Sequence, residues 1–117
     1  MAVFKGADAQ GGKKNMSKIK RLFVVERGRA GGDERFTLAS ADYREALADY
    51  REARLAAARE AEASKHPQEV VLSSYAAEEP VEAELDAWGR LIGADGEEIE
   101  YLAEWERKTV HGAAING

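Results

Sequence analysis

The sequence predicts a small α+β domain in which one long helix packs on a small antiparallel β-sheet. Three features predict it: two short β-rich runs around a glycine-rich segment, an alanine-rich helical stretch after them, and a third β-rich run. The resulting ββαβ core is typical of an antiparallel sheet with a helix across one face. The chain has 117 residues, of which 44% are hydrophobic, and this suits a single domain with a packed core.

The first two runs predict a β-hairpin. Residues 22–25 (Leu-Phe-Val-Val) and 35–38 (Arg-Phe-Thr-Leu) favour strands, and the second run alternates polar and apolar side chains. Residues 27–33 between them include three glycines, which are typical of a hairpin tip. We therefore expect these runs to be antiparallel neighbours in the sheet.

A long helix is predicted from about Asp42 to Ser64. Asp42 and Glu45 have the spacing of a capping box, in which side chains satisfy the free N–H groups of the first turn. Alanine, the strongest helix former, dominates the segment, and Lys65-His66-Pro67 ends it because proline disfavours a helical residue before it. Residues 69–75 then predict the third strand.

The segment from residue 80 to residue 92 supports two interpretations. Residues 81–87 alternate apolar and acidic side chains, as a half-buried strand does. The apolar residues Val81, Leu85, Trp88 and Ile92 also fall on one helical stripe, with proline at its start and glycine after its end. We favour the helix, at about 80–92.

The next segment is equally divided. The Asp95-Gly96 pair is a good turn signal for a second hairpin, but Asp95 and Glu98 also form a capping-box pattern. The sequence favours, by a small margin, a second helix over 97–109. The acidic C-terminal region is therefore expected to be helical, with a second hairpin as the alternative.

Charge is distributed unevenly along the chain. Residues 1–35 have a net charge of +5, residues 36–75 of −2 and residues 76–117 of −8. Such asymmetry bears on partners and association more than on fold. The expected organisation is a flexible basic arm (1–19), a single α+β domain (20–109) and a C-terminal tail (110–117).

No catalytic motif is evident. The absence of cysteine excludes thiolate chemistry and disulfides, and neither His66 nor His111 lies in a nucleophile motif. The glycine-rich segments at 11–14 and 28–32 do not match a phosphate-binding loop. We expect no enzyme, no cofactor and no metal site, and a solvated acidic surface in preference to a carboxylate site for a divalent cation.

Binding features lie at the two charged ends and on the helix. Lysines and an arginine between residues 13 and 21 could contact an acidic surface or phosphates. Arg54 follows Tyr50 on the apolar stripe of the helix, where its stem either covers the sheet or extends the stripe into a partner. Tryptophans among carboxylates are either core or interface anchors. The candidate partner-binding residues are Lys13, Lys14, Lys18, Lys20, Arg21, Arg54, Trp88 and Trp105.

The leading hypothesis is a non-enzymatic interaction protein or structural subunit that docks through its charged ends onto a larger assembly or target protein. A virion component or a small viral accessory or inhibitor protein would fit, located in the cytoplasm of a host cell or within a virion. Homo-oligomers are possible in this scheme, and no membrane association is expected. The alternatives are a nucleic-acid-binding protein that uses the basic arm and an acidic inhibitor that imitates DNA.

Overall fold

The computed structural model describes residues 17–116 and confirms an α+β fold with an antiparallel sheet and one long helix. Within that range all strands pair antiparallel in one six-stranded sheet. No helix in it is long and apolar enough to cross a membrane. The elements are β1 (Ser17–Arg29), β2 (Glu34–Ser40), α1 (Tyr43–Ser64), β3 (Gln68–Leu85), β4 (Leu91–Gly93), β5 (Glu98–Ile99), α2 (Tyr101–Glu104) and β6 (Glu106–Ile115).

Strand β3 is the centre of the sheet. Strand β1 pairs with it through every residue except Lys20, and β1 pairs in turn with β2, as the predicted hairpin requires. On its other side β3 pairs first with β6, through residues 68–76, and then with β4, through residues 83–85. The short strand β5 follows β4. The sheet is therefore larger than the predicted three-stranded core.

A bulge interrupts the pairing of β1 with β3. Ile19 is opposite Val81 and Arg21 is opposite Ala76, so that residues 77–80 of β3 face only Lys20 of β1. Pro80 lies in this bulge, where its missing N–H costs the ladder no hydrogen bond. Strand β3 resumes after the bulge, where residues 81–83 pair with residues 17–19 at the beginning of β1.

Helix α1 has the predicted bounds. The carboxylate of Asp42 accepts a hydrogen bond from the Arg44 N–H at 2.9 Å, which makes Asp42 the N-cap. Glu45 accepts from the Ser40 hydroxyl instead of reaching the Asp42 N–H, which donates to that same hydroxyl. At the other end Lys65 adopts a left-handed conformation (φ 62°) and its N–H donates to the Ala61 carbonyl.

The α1 face of the sheet has a closely packed core. The helix buries one tyrosine and four alanines, whose small side chains bring its backbone near the strands. Val25, Val70 and Leu72 of the sheet are fully buried beneath it. The buried helix residues are Ala46, Tyr50, Ala53, Ala57 and Ala61.

The opposite face of the sheet is covered by the segment from residue 86 to residue 105. Its Leu91 and Tyr101 are buried against Leu22, Val24 and Tyr75 of the central strands. The rings of Tyr75 and Tyr101 meet edge to face, with their centroids 5.6 Å apart. The fold therefore has two apolar cores, one on each face of the sheet.

The helix predicted over 80–92 is wrong. Residues up to Leu85 continue β3, a turn follows, and β4 begins at Leu91. Ala83 is fully buried while Glu82 is exposed, so the apolar–acidic alternation is that of a strand. The strand pattern and the helical stripe use the same apolar residues. Pairing with β1 and β4 selects the strand.

The helix predicted over 97–109 is also wrong. Helical structure is limited to the single turn of α2, and the Asp95-Gly96 turn joins β4 and β5 as the hairpin alternative expected. Residues 110–115, assigned by the sequence to a tail, lie in β6 and pair with β3. Ala113 and Ile115 are apolar enough for an edge strand whose inner side packs on the α1 core.

Candidate functional site

A cluster of exposed apolar side chains lies where the cover over the second face of the sheet ends. Trp88, in the turn between β3 and β4, is 75% exposed. Phe36 of β2 is 42% exposed and Leu102 of α2 is 57% exposed. All three line one cleft of about 170 Å³, with Val24 and Tyr101 among its other residues. We call Phe36, Trp88 and Leu102 the Trp88 surface.

The turn that carries Trp88 is held by Asp86. One carboxylate oxygen of Asp86 accepts from the backbone N–H of Trp88 at 2.9 Å and from that of Arg90 at 2.8 Å. The other oxygen accepts from Nε of the Arg90 side chain at 2.8 Å. These hydrogen bonds, the backbone one from Arg90 foremost, lower the pKa of Asp86 from its usual 3.8. The charged carboxylate thus organises the whole turn.

Gly89 fixes the same turn to the sheet. Its φ of 81° is strained for any residue with a side chain, and a Cβ atom would lie 2.5 Å from the Phe36 ring. Its carbonyl accepts a hydrogen bond from the Tyr101 hydroxyl at 2.8 Å in the buried interior. The backbone beside Trp88 is therefore clamped between Phe36 and Tyr101, although the Trp88 ring itself faces solvent.

Carboxylates surround the Trp88 surface. Glu26, Glu98 and Glu100 line the cleft, and Arg90, the basic side chain among its described lining residues, already pairs with Asp86. Burial raises the pKa of Tyr101 to about 12, and the negative charges of Glu26 and Glu98 contribute to the rise. The site therefore combines an apolar floor with a negative potential.

The negative charge continues along the open part of this sheet face. Glu34 of β2 and Glu69 of β3 are both register partners of Gly28 on the strand between them. Partial burial raises the pKa of Glu34, and the neighbouring charges of Glu26 and Glu69 raise it further, against the lowering effect of Arg107. This shift indicates carboxylates close enough to repel one another.

Among the residues that the structure describes, no serine, cysteine or histidine lines the cleft. Within residues 17–116 no group of three or more histidine, aspartate or glutamate side chains is arranged to hold a metal ion. An apolar side chain with a cation beside it is the ligand that matches an apolar cleft rimmed by carboxylates.

The two predicted tryptophan anchors have different environments. Trp88 is at the site, whereas Trp105 is half-buried and packs on the second core, with its ring 5.8 Å from that of Tyr101. Trp105 also borders a separate cleft that is rich in glutamate. The cleft residues Glu78, Glu79, Glu104 and Glu106 account for much of the acidic character of the C-terminal third.

The described basic residues near the start of β1 do not line the Trp88 cleft. Lys13 and Lys14, with the rest of residues 1–16, lie outside the described residues. Lys18, Lys20 and Arg21 are exposed on β1, antiparallel to the acidic part of β3, and Lys18 is opposite Glu82. Cross-strand pairs of opposite charge stabilise a sheet. The basic residues of β1 and the acidic part of β3 are thus neighbours in the fold.

Arg54 and His111 lie together on the α1 side of the sheet. Arg54 is exposed, with its guanidinium 5.9 Å from the centre of the Tyr50 ring. His111, expected in a loose tail, stacks on the same ring, and its Nε2 is 3.1 Å from the Tyr43 hydroxyl. His66 is exposed just beyond the end of α1.

Sequence reasoning missed Phe36 and Leu102 as functional candidates. The alternation around Phe36 correctly indicated a strand with one apolar side, but it could not show that this side would be left partly uncovered. Leu102 was assigned to a longer helix whose apolar stripe would have been core. The sequence pattern does not show which apolar side chains of a strand or helix remain exposed after folding.

The chain was compared with models of protein families, with curated proteins and with solved structures. None of the three comparisons finds a match.

Proposed function

We propose that this chain is a non-enzymatic interaction subunit that docks onto a larger protein assembly through the Trp88 surface. The observation that carries the proposal is a tryptophan that is 75% exposed on a turn whose backbone is held by Asp86, Phe36 and Tyr101. Exposed aromatic clusters on soluble domains mark interaction sites, and tryptophan is the residue most enriched among binding hot spots.

The rigidity of the turn is as important as its exposure. Covering a tryptophan side chain removes on the order of 150 Å² of surface from water, which favours binding by about 4 kcal/mol before association costs are subtracted. A loop that must become ordered on binding loses part of that gain. Here the backbone on both sides of Trp88 is already hydrogen-bonded, so little ordering cost remains.

The charges define the partner. Glu26, Glu98 and Glu100 around the cleft favour a protein segment that has an aliphatic or aromatic anchor next to lysine or arginine. The same carboxylates repel the phosphates of nucleic acid. A virion or another assembly inside a cell is the setting we propose, with this chain as one of its subunits or accessory proteins.

Peptide display on the full chain tests this proposal. Peptides selected on the wild type and counter-selected on Trp88→Ala should share an apolar anchor flanked by basic residues. Leu55→Ala is the matched control, because Leu55 is also an exposed large apolar residue (62%) but lies on α1. Neither variant is expected to lose more than about 0.5 kcal/mol of stability, since both side chains are largely solvated.

Binding should also be visible in the tryptophan itself. In a Trp105→Phe background, Trp88 is the only fluorophore of its type, and its emission should shift to the blue when a selected peptide binds. Affinity should fall as salt is added, because the carboxylates around the cleft are exposed to solvent. Selection of acidic peptides, or of peptides that bind Trp88→Ala as well as wild type, would contradict the proposal.

A further inference from the structure

The second half of β6 is an open edge of the sheet beside helix α1. Among residues 17–116, β6 pairs only with β3, so the N–H and C=O groups on its outer side have no strand partner there. Natural proteins usually protect such an edge with lysine, proline or a bulge. The first half of β6 has these protections, in Arg107, Lys108 and a register irregularity at Val110.

The second half, His111–Ile115, has none of them. Its sequence is His-Gly-Ala-Ala-Ile, which contains no lysine, arginine, carboxylate or proline and pairs regularly with residues 68–72 of β3. A regular edge without lysine, proline or a bulge is a template for another strand. Because this edge lies next to the exposed side of α1, the helix residues there determine which side chains a partner strand must have.

A trough runs between this edge and α1. Ala113 and Ile115 of β6 line it on the strand side, Tyr50 lines part of it from the helix, and Arg51 and Arg54 line it throughout from the helix. Leu47 and Leu55 are apolar residues toward its two ends, and Leu55 is 62% exposed. Among residues 17–116 no acidic side chain lines the trough, and no carboxylate of that range lies within 4 Å of either guanidinium group.

We infer that the edge His111–Ile115 accepts an extended acidic segment of a partner protein by strand addition. The partner's backbone pairs with the outer edge of β6, and every second side chain points into the trough. Carboxylates at the middle positions meet the guanidinium groups of Arg51 and Arg54, for which planar, bidentate pairing is the preferred geometry. Apolar residues at the outer positions face the trough beyond the two carboxylates.

This surface is separate from the Trp88 surface and has the opposite charge. The trough is on the α1 side of the sheet, and the Trp88 cleft is on the other side, with no residue in common. One surface suits a basic partner segment and the other an acidic one. A subunit with both can bind two different neighbours at once.

The spacing of a strand defines the probe. Side chains on one face of a strand are about 6.7 Å apart, so a peptide of eight residues presents four trough-facing positions. The probe is an acetylated, amidated peptide of sequence Thr-Leu-Thr-Glu-Thr-Glu-Thr-Leu, labelled for fluorescence anisotropy. The matched control peptide has lysine in place of both glutamates. A third peptide with proline at its centre cannot complete the backbone pairing.

The full chain should bind the glutamate peptide and neither control. Binding should weaken about tenfold for each of Arg51→Glu and Arg54→Glu, because each reversal replaces a charge-assisted hydrogen bond with repulsion. Arg59→Glu is the control variant, since Arg59 is exposed on the same helix but does not line the trough. Trp88→Ala should have no effect, which separates this inference from the proposed function.

A second readout follows the strand edge directly. Backbone amides of residues 111–115 should gain protection from hydrogen exchange when the glutamate peptide is added, as new inter-strand hydrogen bonds form. Equal binding of the glutamate and lysine peptides, or unchanged binding by Arg51→Glu and Arg54→Glu, would overturn the inference. A single-stranded oligonucleotide that displaces the peptide and binds these arginines more tightly would also overturn it. So would a dimer, seen by light scattering, in which the edge pairs with a second copy of itself.

Discussion

The two faces of the sheet are covered by different kinds of structure. One long helix covers the first face, and its buried stripe of alanines and Tyr50 packs on Val25, Val70 and Leu72. The second face is covered by a turn, two short strands and one turn of helix, which together bury Leu91 and Tyr101. The helix covers the core of its face and leaves only the β6 edge open beside it, whereas the irregular segment leaves a gap where Phe36 and Trp88 meet solvent.

The difference shows where binding can develop in a small domain. A regular helix satisfies its own backbone and can bury a complete apolar stripe, so its face of the sheet becomes core. An irregular cover needs side chains such as Asp86 and Tyr101 to satisfy its backbone, and it ends in residues that the sheet does not bury. The incomplete cover holds its apolar residues in place without burying them, which is what a binding surface requires.

The largest effects are expected in the two cores. Leu72→Ala on the α1 face and Leu91→Ala on the other face each remove a fully buried side chain, and each should lower the free energy of unfolding by about 2–5 kcal/mol. Urea unfolding followed by circular dichroism measures both. Similar losses would show that the two faces are equally well packed. A loss below 1 kcal/mol for Leu91→Ala alone would show that the irregular cover is not part of the cooperative core.

The next effect concerns the bond between Tyr101 and the Trp88 turn. Tyr101→Phe removes the hydroxyl donor to the buried Gly89 carbonyl and should cost about 1–2 kcal/mol. In the wild type, the raised pKa means that this stabilisation is complete below pH 10.0 and is lost as pH rises toward about 12. Unfolding free energies across this range should converge for the two proteins. A constant difference between them would contradict the assignment.

A smaller effect is expected at the start of α1. Asp42→Ala removes the acceptor for the Arg44 N–H and should destabilise the fold by about 1 kcal/mol. Asp42→Asn is the control, because an asparagine caps a helix nearly as well. Since the cap is on the α1 face, the emission of Trp88 in the Trp105→Phe background should remain unchanged. A shift in that emission would show that the two covers are coupled.

The smallest effect is the acid response of the Trp88 turn. The pKa of Asp86 is lower in the folded protein than its usual 3.8. The contribution of this carboxylate to stability is therefore fully present above pH 3.8, and it is lost as the pH falls through the lower pKa of the folded state. Trp88 emission should therefore change in acid while the circular dichroism of the fold persists. Asp86→Asn should abolish this response, because its side chain does not titrate. A response that survives in Asp86→Asn would assign it to another group.

The sequence predicted the α1 side of the molecule well. The helix bounds followed from Asp42, the run of alanines and Lys65-His66-Pro67, which act locally and need no tertiary contact. The hairpin of β1 and β2 and the strand from residue 69 followed from β-rich runs and turn residues in the same way. Even there, the hydrogen bond from the Ser40 hydroxyl to Glu45 could not be predicted, because it depends on the path of the chain from β2 into α1.

The region after residue 76 could not be predicted in this way. Val81 and Leu85 satisfy a strand pattern and a helix pattern at once, and only the available pairing positions on β1 and β4 select the strand. His111 and Ile115 had no periodic signal of their own, yet the open side of β3 recruits them into β6. Neither the Trp88 surface nor the trough beside β6 exists until those strands are in place.

By itself the sequence determined the elements whose signals are local: the capped helix, the first hairpin, the third strand and the concentration of charge at the two ends. Tertiary structure alone decided that the basic residues of β1 lie along the acidic part of β3, that Trp105 packs in a core and that Trp88 does not. The physical reason is that the burial of a side chain depends on which surfaces the other elements cover once they have all packed. No single segment of the sequence carries that information.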